Sequence, residues 1–373
     1  MTTRSIHRSC IHGAGRFMAW LMALMLCLLS VSFAGAEAAE VARATVTEED
    51  QYGDIRIDLT QIDLEYGDSV NLSFSGGWSI NEVPYYPDFF GSRGSVVLTD
   101  YFKTLCIAGI GCSLNKMAGV QPGETLVITL AQKGRYRPEY EAYQIHDARY
   151  RMEGQTDEAF LNFREVTAGL IRPGRLYRGA SPFDHKFGRQ ELMGSFLASY
   201  GMRGILDLAD TQEQLESYEN LPDYTVALIA EGRVVPCPIG VDYLQPEFMQ
   251  RIGEGLTGLT ELEGPWLIHC NLGRDRTGFI CALLESLCGA TYDEIVQDYM
   301  KSYDMLHGTD MNPDSLQYRL FRARIEEQLA AIFGVETQAL PGVDMPRAAR
   351  DYLTRCGMTV DQIDRLESRL TGD

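Results

Sequence analysis

Between Gly53 and Leu130 the chain alternates apolar and polar positions. "DIRIDL" and "SVNLSF" place every second side chain on one face, "SVVLTDYF" and "ETLVITL" are rich in β-branched residues, and "YGD", "SGG" and "QPGE" punctuate them as turns. The pattern predicts a small β-rich accessory domain over 45–132, either a sandwich or a partial barrel. The echo between "YGDIRIDL" and "YGDSVNLSF" reads as one repeated hairpin unit, since no third copy follows. "WSINEVPYYPDFF" is either an aromatic binding face or a loop packed onto the β core.

A polar stretch, 133–158, reads as a linker or connecting helix, and beyond it the period changes. A helix is expected over 190–200, "GILDL" and "RVVPCPI" are buried strands, and "PEFMQRIGEGLTGLTEL" is a helix closed at the Gly264-Pro265 break. "PWLIHC" is then a short apolar strand, "NLGRDR" a polar turn and "TGFICALLESLCGA" a helix. Strand, glycine-containing turn and helix in succession form the α/β arrangement that holds an anion at a helix N-terminus. Everything after Tyr292 reads helical, with Thr359 as a cap for the last helix. Residues 159–373 thus predict an α/β catalytic domain.

The first residues stand apart. Arg4, Arg8 and Arg16 precede an apolar run from Phe17 to Phe33, followed by small residues at Ala34, Ala36 and Ala38. This is the pattern of a secretory signal peptide over 1–38, cleaved after Ala36 or Ala38, and it implies a secreted or periplasmic protein. An uncleaved leader anchored in the membrane is the alternative, because the run is almost long enough to span a bilayer.

A formal charge of −19 excludes nucleic acid as a partner and makes stable association with an anionic membrane depend on an uncleaved leader. Any anionic substrate must then be held by a locally basic pocket. Of nine cysteines, Cys10 and Cys27 fall in the leader, which leaves an odd number in an export compartment and hence at least one free thiol. Cys106 and Cys112 either bridge a small loop or are two buried small hydrophobes. Cys281 and Cys288 share one helix face and read as core, and Cys237 is either core or a reversible disulfide partner for Cys270. Six scattered histidines offer no metal site, and no cofactor is expected.

The chemistry concentrates in "IHCNLGRDRTGF". A strand ending at Cys270 aims the sulfur into the bowl made by the next backbone turns, where the N–H groups of Asn271, Leu272, Gly273 and Arg274 and the helix dipole favour a thiolate and bind a phosphoryl group. Gly273 lets the chain approach an oxyanion and Gly278 lets the helix start tightly packed on the sheet. Arg276 returns to the rim, where its planar fork grips two phosphoryl oxygens. Thr277 can donate its hydroxyl to the sulfur, and His269, on the opposite face of the strand, orients the loop or is a core histidine. Arg274 could serve a second phosphate.

"HCNLGRDRTG" resembles the HCxxGxxR[ST]G loop of the cysteine-dependent protein tyrosine phosphatase superfamily, and more narrowly the bacterial tyrosine and dual-specificity phosphatases whose loops read GKDRTG. "NFREV", "GRLYRGASP", "GMRGILDL", "DYMKSYD" and "GMTVDQIDRLESRL" follow in that family's order, so the resemblance covers residue 160 to the end. It implies a phosphatase-like central, mainly parallel sheet flanked by helices, and hydrolysis of phosphate monoesters of phosphotyrosine or dual specificity through a phosphocysteine. Two carboxyls compete as the proton donor: Asp242, at the position of the superfamily's mobile acid loop, and Asp275, inside the loop. The alternatives are a helix-cap aspartate and a brace for the loop amides. Asp207 matches the aspartate of a DLR-like strand end whose Arg is replaced here by Ala209. Arg178 either reaches the pocket or forms a surface ion pair, and Leu272 is bulkier than the family's usual residue.

The expected partner is a phosphorylated protein or an inositol phosphate, the latter if the enzyme is an inositol polyphosphate or phosphoinositide phosphatase of the same superfamily. A phosphate-binding pseudophosphatase, an adhesion module acting through its β domain, and a sulfurtransferase are the readings of other classes.

Overall fold

A computed structural model describes residues 39–49, 53–91, 95–101, 103–110, 114 and 118–372. The predicted leader and Cys112 lie outside the described residues.

The N-terminal half is a closed barrel, which corrects the sandwich and the partial barrel alike. Its strands are β1 (Glu40–Glu49), β2 (Ile55–Ile57), β3 (Ser69–Phe74), β4 (Ser79–Tyr86), β5 (Val96–Thr99), β6 (Cys106–Gly109) and β7 (Thr125–Gln132), in the order β1-β2-β6-β5-β4-β3-β7. Alternation builds it: Val70 and Leu72 from β3 and Leu126 and Ile128 from β7 point inward and are fully buried. The closing strand, β1, begins before the sequence pattern suggested, because only Ala44 and Val46 of its ten residues face the core. It pairs antiparallel with both β2 and β7. The echoed phrases are not a repeated hairpin either. β2 pairs with β1 and β6 while β3 pairs with β4 and β7, since closure assigns partners by position around the barrel. Most of the aromatic stretch is strand β4, and Phe89 and Phe90 follow it.

The connecting stretch contains α1 (Arg137–Ala142), and its remainder is fastened to the C-terminal half. Gln317 donates to the Ala142 carbonyl at 2.9 Å, His307 Nδ1 lies 2.6 Å from the His146 carbonyl, and Arg189 donates to the Ala148 carbonyl. Phe90 of the barrel stacks on Tyr143, with centroids 4.5 Å apart and planes 12° apart, and Tyr143 meets Phe321 edge-on. A run of aromatic rings therefore crosses the seam between the two halves.

The C-terminal half is a sheet ordered β11-β10-β12-β9-β8, from β8 (Arg164–Glu165), β9 (Leu176–Gly179), β10 (Gly204–Asp207), β11 (Val234–Pro236) and β12 (Trp266–His269). β11, β10, β12 and β9 pair in parallel and β8 runs antiparallel at the edge. One face packs on α2 (Asp157–Leu161), α3 (Gln190–Ser199), α4 (Gln212–Ser217) and α5 (Asp223–Ala230). The other packs on α6 (Pro246–Thr260), α7 (Asp275–Leu287), α8 (Tyr292–His307), α9 (Leu316–Phe333), α10 (Met345–Arg355) and α11 (Val360–Thr371). Along β12, Trp266 and Ile268 bury in the second core and Leu267 in the first, so a strand of continuous apolar character serves both faces. Thr359 caps α11 with Gln362 in a capping box.

Candidate active site

Cys270 follows β12 directly and is almost fully buried, and five positions later α7 begins at Asp275. The turn between them is held from behind by its carbonyls. Ser181 N–H donates to the Asn271 carbonyl at 3.2 Å, and the Asn162 side-chain amide donates to Leu272 and Gly273 at 3.1 and 2.9 Å. Arg178 donates to Gly273 at 3.0 Å and reaches Arg274 at 3.4 Å. In a trans peptide N–H opposes C=O, so a turn whose successive carbonyls are fixed on one side presents its N–H groups on the other. That other side is a cavity of about 440 Å³ lined by Ile239, Gly240, Val241, Cys270, Asn271, Leu272, Asp275 and Arg276.

Arg178 is thus neither in the pocket nor on the surface. It is fully buried behind the turn, where it pairs with Asp298 and lies 3.2 Å from Ser302 Oγ. Arg164 binds the same Asp298 at 2.8 Å and also donates to Asn162 Oδ1 at 2.7 Å. The two guanidiniums hold the Asp298 carboxyl far below the usual range, overriding burial. Asn162 has a left-handed backbone, φ 49°, as the residue closing α2, which is what turns its amide toward the loop. Asn162 and Arg164 lie in "NFREV" and Asp298 opens "DYMKSYD", motifs whose sequence gives none of the three a role. Their polar residues converge on this one brace.

Gly273 adopts φ +66°, and a Cβ there would sit 2.2 Å from the Gly179 carbonyl oxygen of β9. The back of the turn alone is enough to require a glycine here. Gly278 packs against the Tyr299 ring of α8, 2.7 Å from a would-be Cβ, and against Arg178 of β9 in the sheet, at 3.2 Å.

Arg276 is tethered by one nitrogen, which donates to the Leu208 carbonyl at 2.8 Å and lies 3.4 Å from that of Ile239, and the guanidinium lines the cavity. His269 is fully buried on the opposite face of β12, edge-on to Phe183 and 3.6 Å from Asp207. Burial pushes its imidazole down to about 4, so it is neutral. Asp207 accepts the N–H groups of Ala209 and Asp210 at the end of β10, and burial still pushes it up to about 6. The Thr277 hydroxyl is buried without a hydrogen-bond partner, so the expected bond to sulfur is not formed. Cys237 donates its thiol to the Arg251 carbonyl at 3.2 Å, and burial first, then the Asp207 charge, pushes it up to about 12.

The competing carboxyls differ. Asp275 lines the cavity, but Arg274 pairs with it at 3.1 Å. Burial raises its pKa, yet the Arg274 and Arg324 charges outweigh burial and hold it below the ordinary carboxylate value. Asp242 is half-buried and follows Gly240 and Val241, which form the cavity's other wall. Tyr243, the next residue, is fully buried, stacked on Phe279 of α7 with its carbonyl accepting from Tyr352 at 2.6 Å. That anchor fixes the backbone next to Asp242, which itself is not one of the residues lining the cavity.

Arg274 turns away from Cys270. It lies over the Tyr303 ring, 5.0 Å from the centroid, and one nitrogen is 2.7 Å from His307 Nε2. Since a guanidinium only donates, His307 Nε2 accepts and its Nδ1–H donates to the His146 carbonyl. Among the described residues no group of three or more His, Cys, Asp or Glu side chains is placed to hold a metal ion.

A tyrosine phosphatase family model matches residues 158–372. The chain is 33% identical over 108 residues to the triple specificity protein phosphatase PtpB of Mycobacterium tuberculosis, covering 26% of this chain and 34% of that protein. It is 30% identical over 141 residues to a tyrosine-protein phosphatase of Nostoc commune, covering 32% and 46%. The chain therefore spans between a third and a half of the length of these curated relatives. Among solved structures, TpbA of P. aeruginosa matches at 18% identity and a TM-score of 0.25 over 59% of this chain and 96% of its own. The catalytic core of the PP-IP phosphatase SIW14 from S. cerevisiae matches at 18% and 0.26 over 43% and 83%.

Proposed function

The chain belongs to the tyrosine phosphatase family, and from that premise we propose that it is an exported phosphatase that hydrolyses phosphate monoesters, of phosphotyrosine or with dual specificity, through a phosphocysteine. The observation that carries the reading is the fixed turn: Cys270 and Arg276 line one cavity, and the carbonyls of the turn between them are tied back by Asn162, Arg178 and Ser181, which leaves its N–H groups for the cavity side.

Cys270 sulfur attacks phosphorus in line, the S–P bond forms and the P–O bond to the leaving group breaks. Charge on the equatorial oxygens is met by the loop N–H groups and by Arg276, which are already oriented and cost no reorganisation. The leaving oxygen takes a proton from Asp242. A carboxyl held ionised beside Arg274 has no proton to give, which supports Asp242 over Asp275. Water then attacks phosphorus, Asp242 takes its proton, the S–P bond breaks and inorganic phosphate leaves. Asp275 instead braces Arg274.

The leader's arginines and apolar run support export. An inositol polyphosphate or phosphoinositide substrate is the second reading, favoured by Arg274 beside the cradle. The test is phosphate release by the purified chain from phosphotyrosine peptides, phosphoserine peptides, phosphoinositides and inositol hexakisphosphate. Turnover that vanadate abolishes, EDTA spares and Cys270→Ser eliminates is expected. A Cys270→Ser protein with full activity overturns the reading, and activity on none of the four moves it to a phosphate-binding pseudophosphatase.

A further inference from the structure

On the far side of Leu272 from Cys270 lies a second cavity, of about 450 Å³, and the two share Leu272 as a common wall. Arg274 and Asp275, consecutive in the turn, line one each. This second space is built by three parts of the chain at once: Phe90 from the barrel, Tyr143 from the connecting stretch, and Arg274, Tyr303 and Arg324 from the catalytic half. Its volume is that of a small-molecule site.

Its charge runs against the molecule's. In a chain of net charge −19, this wall carries three arginines against two aspartates. Arg149 is folded onto Asp147, and Asp88 accepts the Phe89 N–H at 2.7 Å. Arg274 is divided between Asp275 and His307. Arg324 differs from these. It forms no ion pair and no hydrogen bond among the described residues and is held by aromatic faces, 5.7 Å from the Phe321 centroid and 5.9 Å from that of Tyr143. Aromatic faces position a guanidinium without using its N–H donors, so the planar fork stays available to an oxyanion.

Resting on the phosphatase reading of the neighbouring cradle, we propose that this cavity is a second anion subsite, which holds a further phosphoryl group of a multiply phosphorylated substrate while Cys270 attacks the first. The barrel then forms part of the substrate pocket. The shared chemistry, two phosphates on one molecule, is available from an inositol phosphate or from a doubly phosphorylated peptide.

The experiment compares kcat/KM for inositol monophosphate with inositol trisphosphate, and for a singly with a doubly tyrosine-phosphorylated peptide, in wild type, Arg324→Met and Arg324→Lys. In at least one pair the multiply phosphorylated member is favoured by about tenfold, the size of one charge-assisted contact. Arg324→Met, which keeps the first part of the unbranched stem and removes the guanidinium, brings that ratio close to that expected from the number of phosphates, and Arg324→Lys restores part of it. In parallel, calorimetry on Cys270→Ser protein reads the affinity for inositol hexakisphosphate, which falls by about tenfold with Arg324→Met added. Wild-type ratios that only count phosphates, or a preference and an affinity that survive Arg324→Met, overturn the subsite. No turnover of any substrate with the Arg324-dependent affinity intact overturns the phosphatase reading and leaves the subsite standing.

Discussion

The guanidinium of Arg178 lies 3.0 Å from the carbonyl oxygen of Gly273, a residue 95 positions further along the chain, and Asn162 reaches the same oxygen at 2.9 Å. Two donors on one carbonyl fix a peptide plane more firmly than either alone. The plane they fix belongs to the turn that follows Cys270, so its geometry is set from behind by groups that do not line the Cys270 cavity.

Asn162→Asp isolates this effect. The aspartate tolerates the left-handed backbone and still accepts from Arg164, but it replaces the donor facing Leu272 and Gly273 with a second acceptor. We expect kcat to fall by roughly tenfold to a hundredfold, the cost of a misplaced reacting group, with far-ultraviolet circular dichroism unchanged. Wild-type kcat in a folded Asn162→Asp protein would show that the brace is structural only.

Gly273→Ala should be far more damaging than its size suggests. The added carbon meets backbone at 2.2 Å and demands a left-handed alanine, which alone costs about 1–2 kcal/mol. Loss of activity together with a lowered Tm is expected in thermal unfolding followed alongside turnover.

Asp242→Asn and Asp275→Asn divide the roles of the two carboxyls. For a substrate with a basic leaving group, Asp242→Asn lowers kcat on the order of a hundredfold, and for 4-nitrophenyl phosphate, whose leaving group needs little protonation, much less. Asp275→Asn, which releases Arg274, shows no such dependence on leaving group. The reverse pattern would reassign the acid.

His307 makes stability depend on pH in a predictable direction. Burial first, then the charge of Arg274, pushes it down to about 4 from 6.5, so the folded protein refuses a proton that the unfolded chain accepts. Its contribution is complete above pH 6.5 and is lost as pH falls toward 4, on the order of 2 kcal/mol by pH 5. Asp207 and Asp210, both pushed up to about 6, chiefly by burial, act oppositely: their contribution is lost as pH rises from about 3.8 through 6. The difference between wild type and His307→Gln in denaturant titrations from pH 7.5 to 5 cancels the aspartates and should show wild type losing ground on acidification. A flat difference would remove His307 as the cause.

The cradle was legible because it is local: strand, cysteine, glycine turn, arginine and helix lie within twelve consecutive residues. The brace was not, since Asn162, Arg178 and Asp298 come from three separate elements and meet only in the folded sheet. Arg178 illustrates the difficulty. An arginine in "LYRG" gives no sign that it will be fully buried, because the carboxylate that permits burial lies 120 residues away. Of the barrel's strands, β2, β3, β5 and β7 were legible in the sequence, but β4 read as an aromatic loop or binding face, β6 was not read as a strand, and closure was hidden because β1 offers so little apolar surface that only its two partners define it. The ionised state of Asp275 likewise depends on where Arg274 and Arg324 arrive in space.

The seam that fastens Ala142, His146 and Ala148 to Gln317, His307 and Arg189 limits how such a protein can be rearranged. Replacing everything before residue 158 would remove the carbonyls of Ala142, His146 and Ala148 from Gln317, His307 and Arg189, and the Tyr143 ring from Phe321. Recombination at residue 158, where the match to the tyrosine phosphatase family begins, therefore cuts through a joint and not between modules. In descent, substitutions at Phe90, Tyr143 and Phe321 should travel together, so the barrel and the enzyme behind it are inherited as one object.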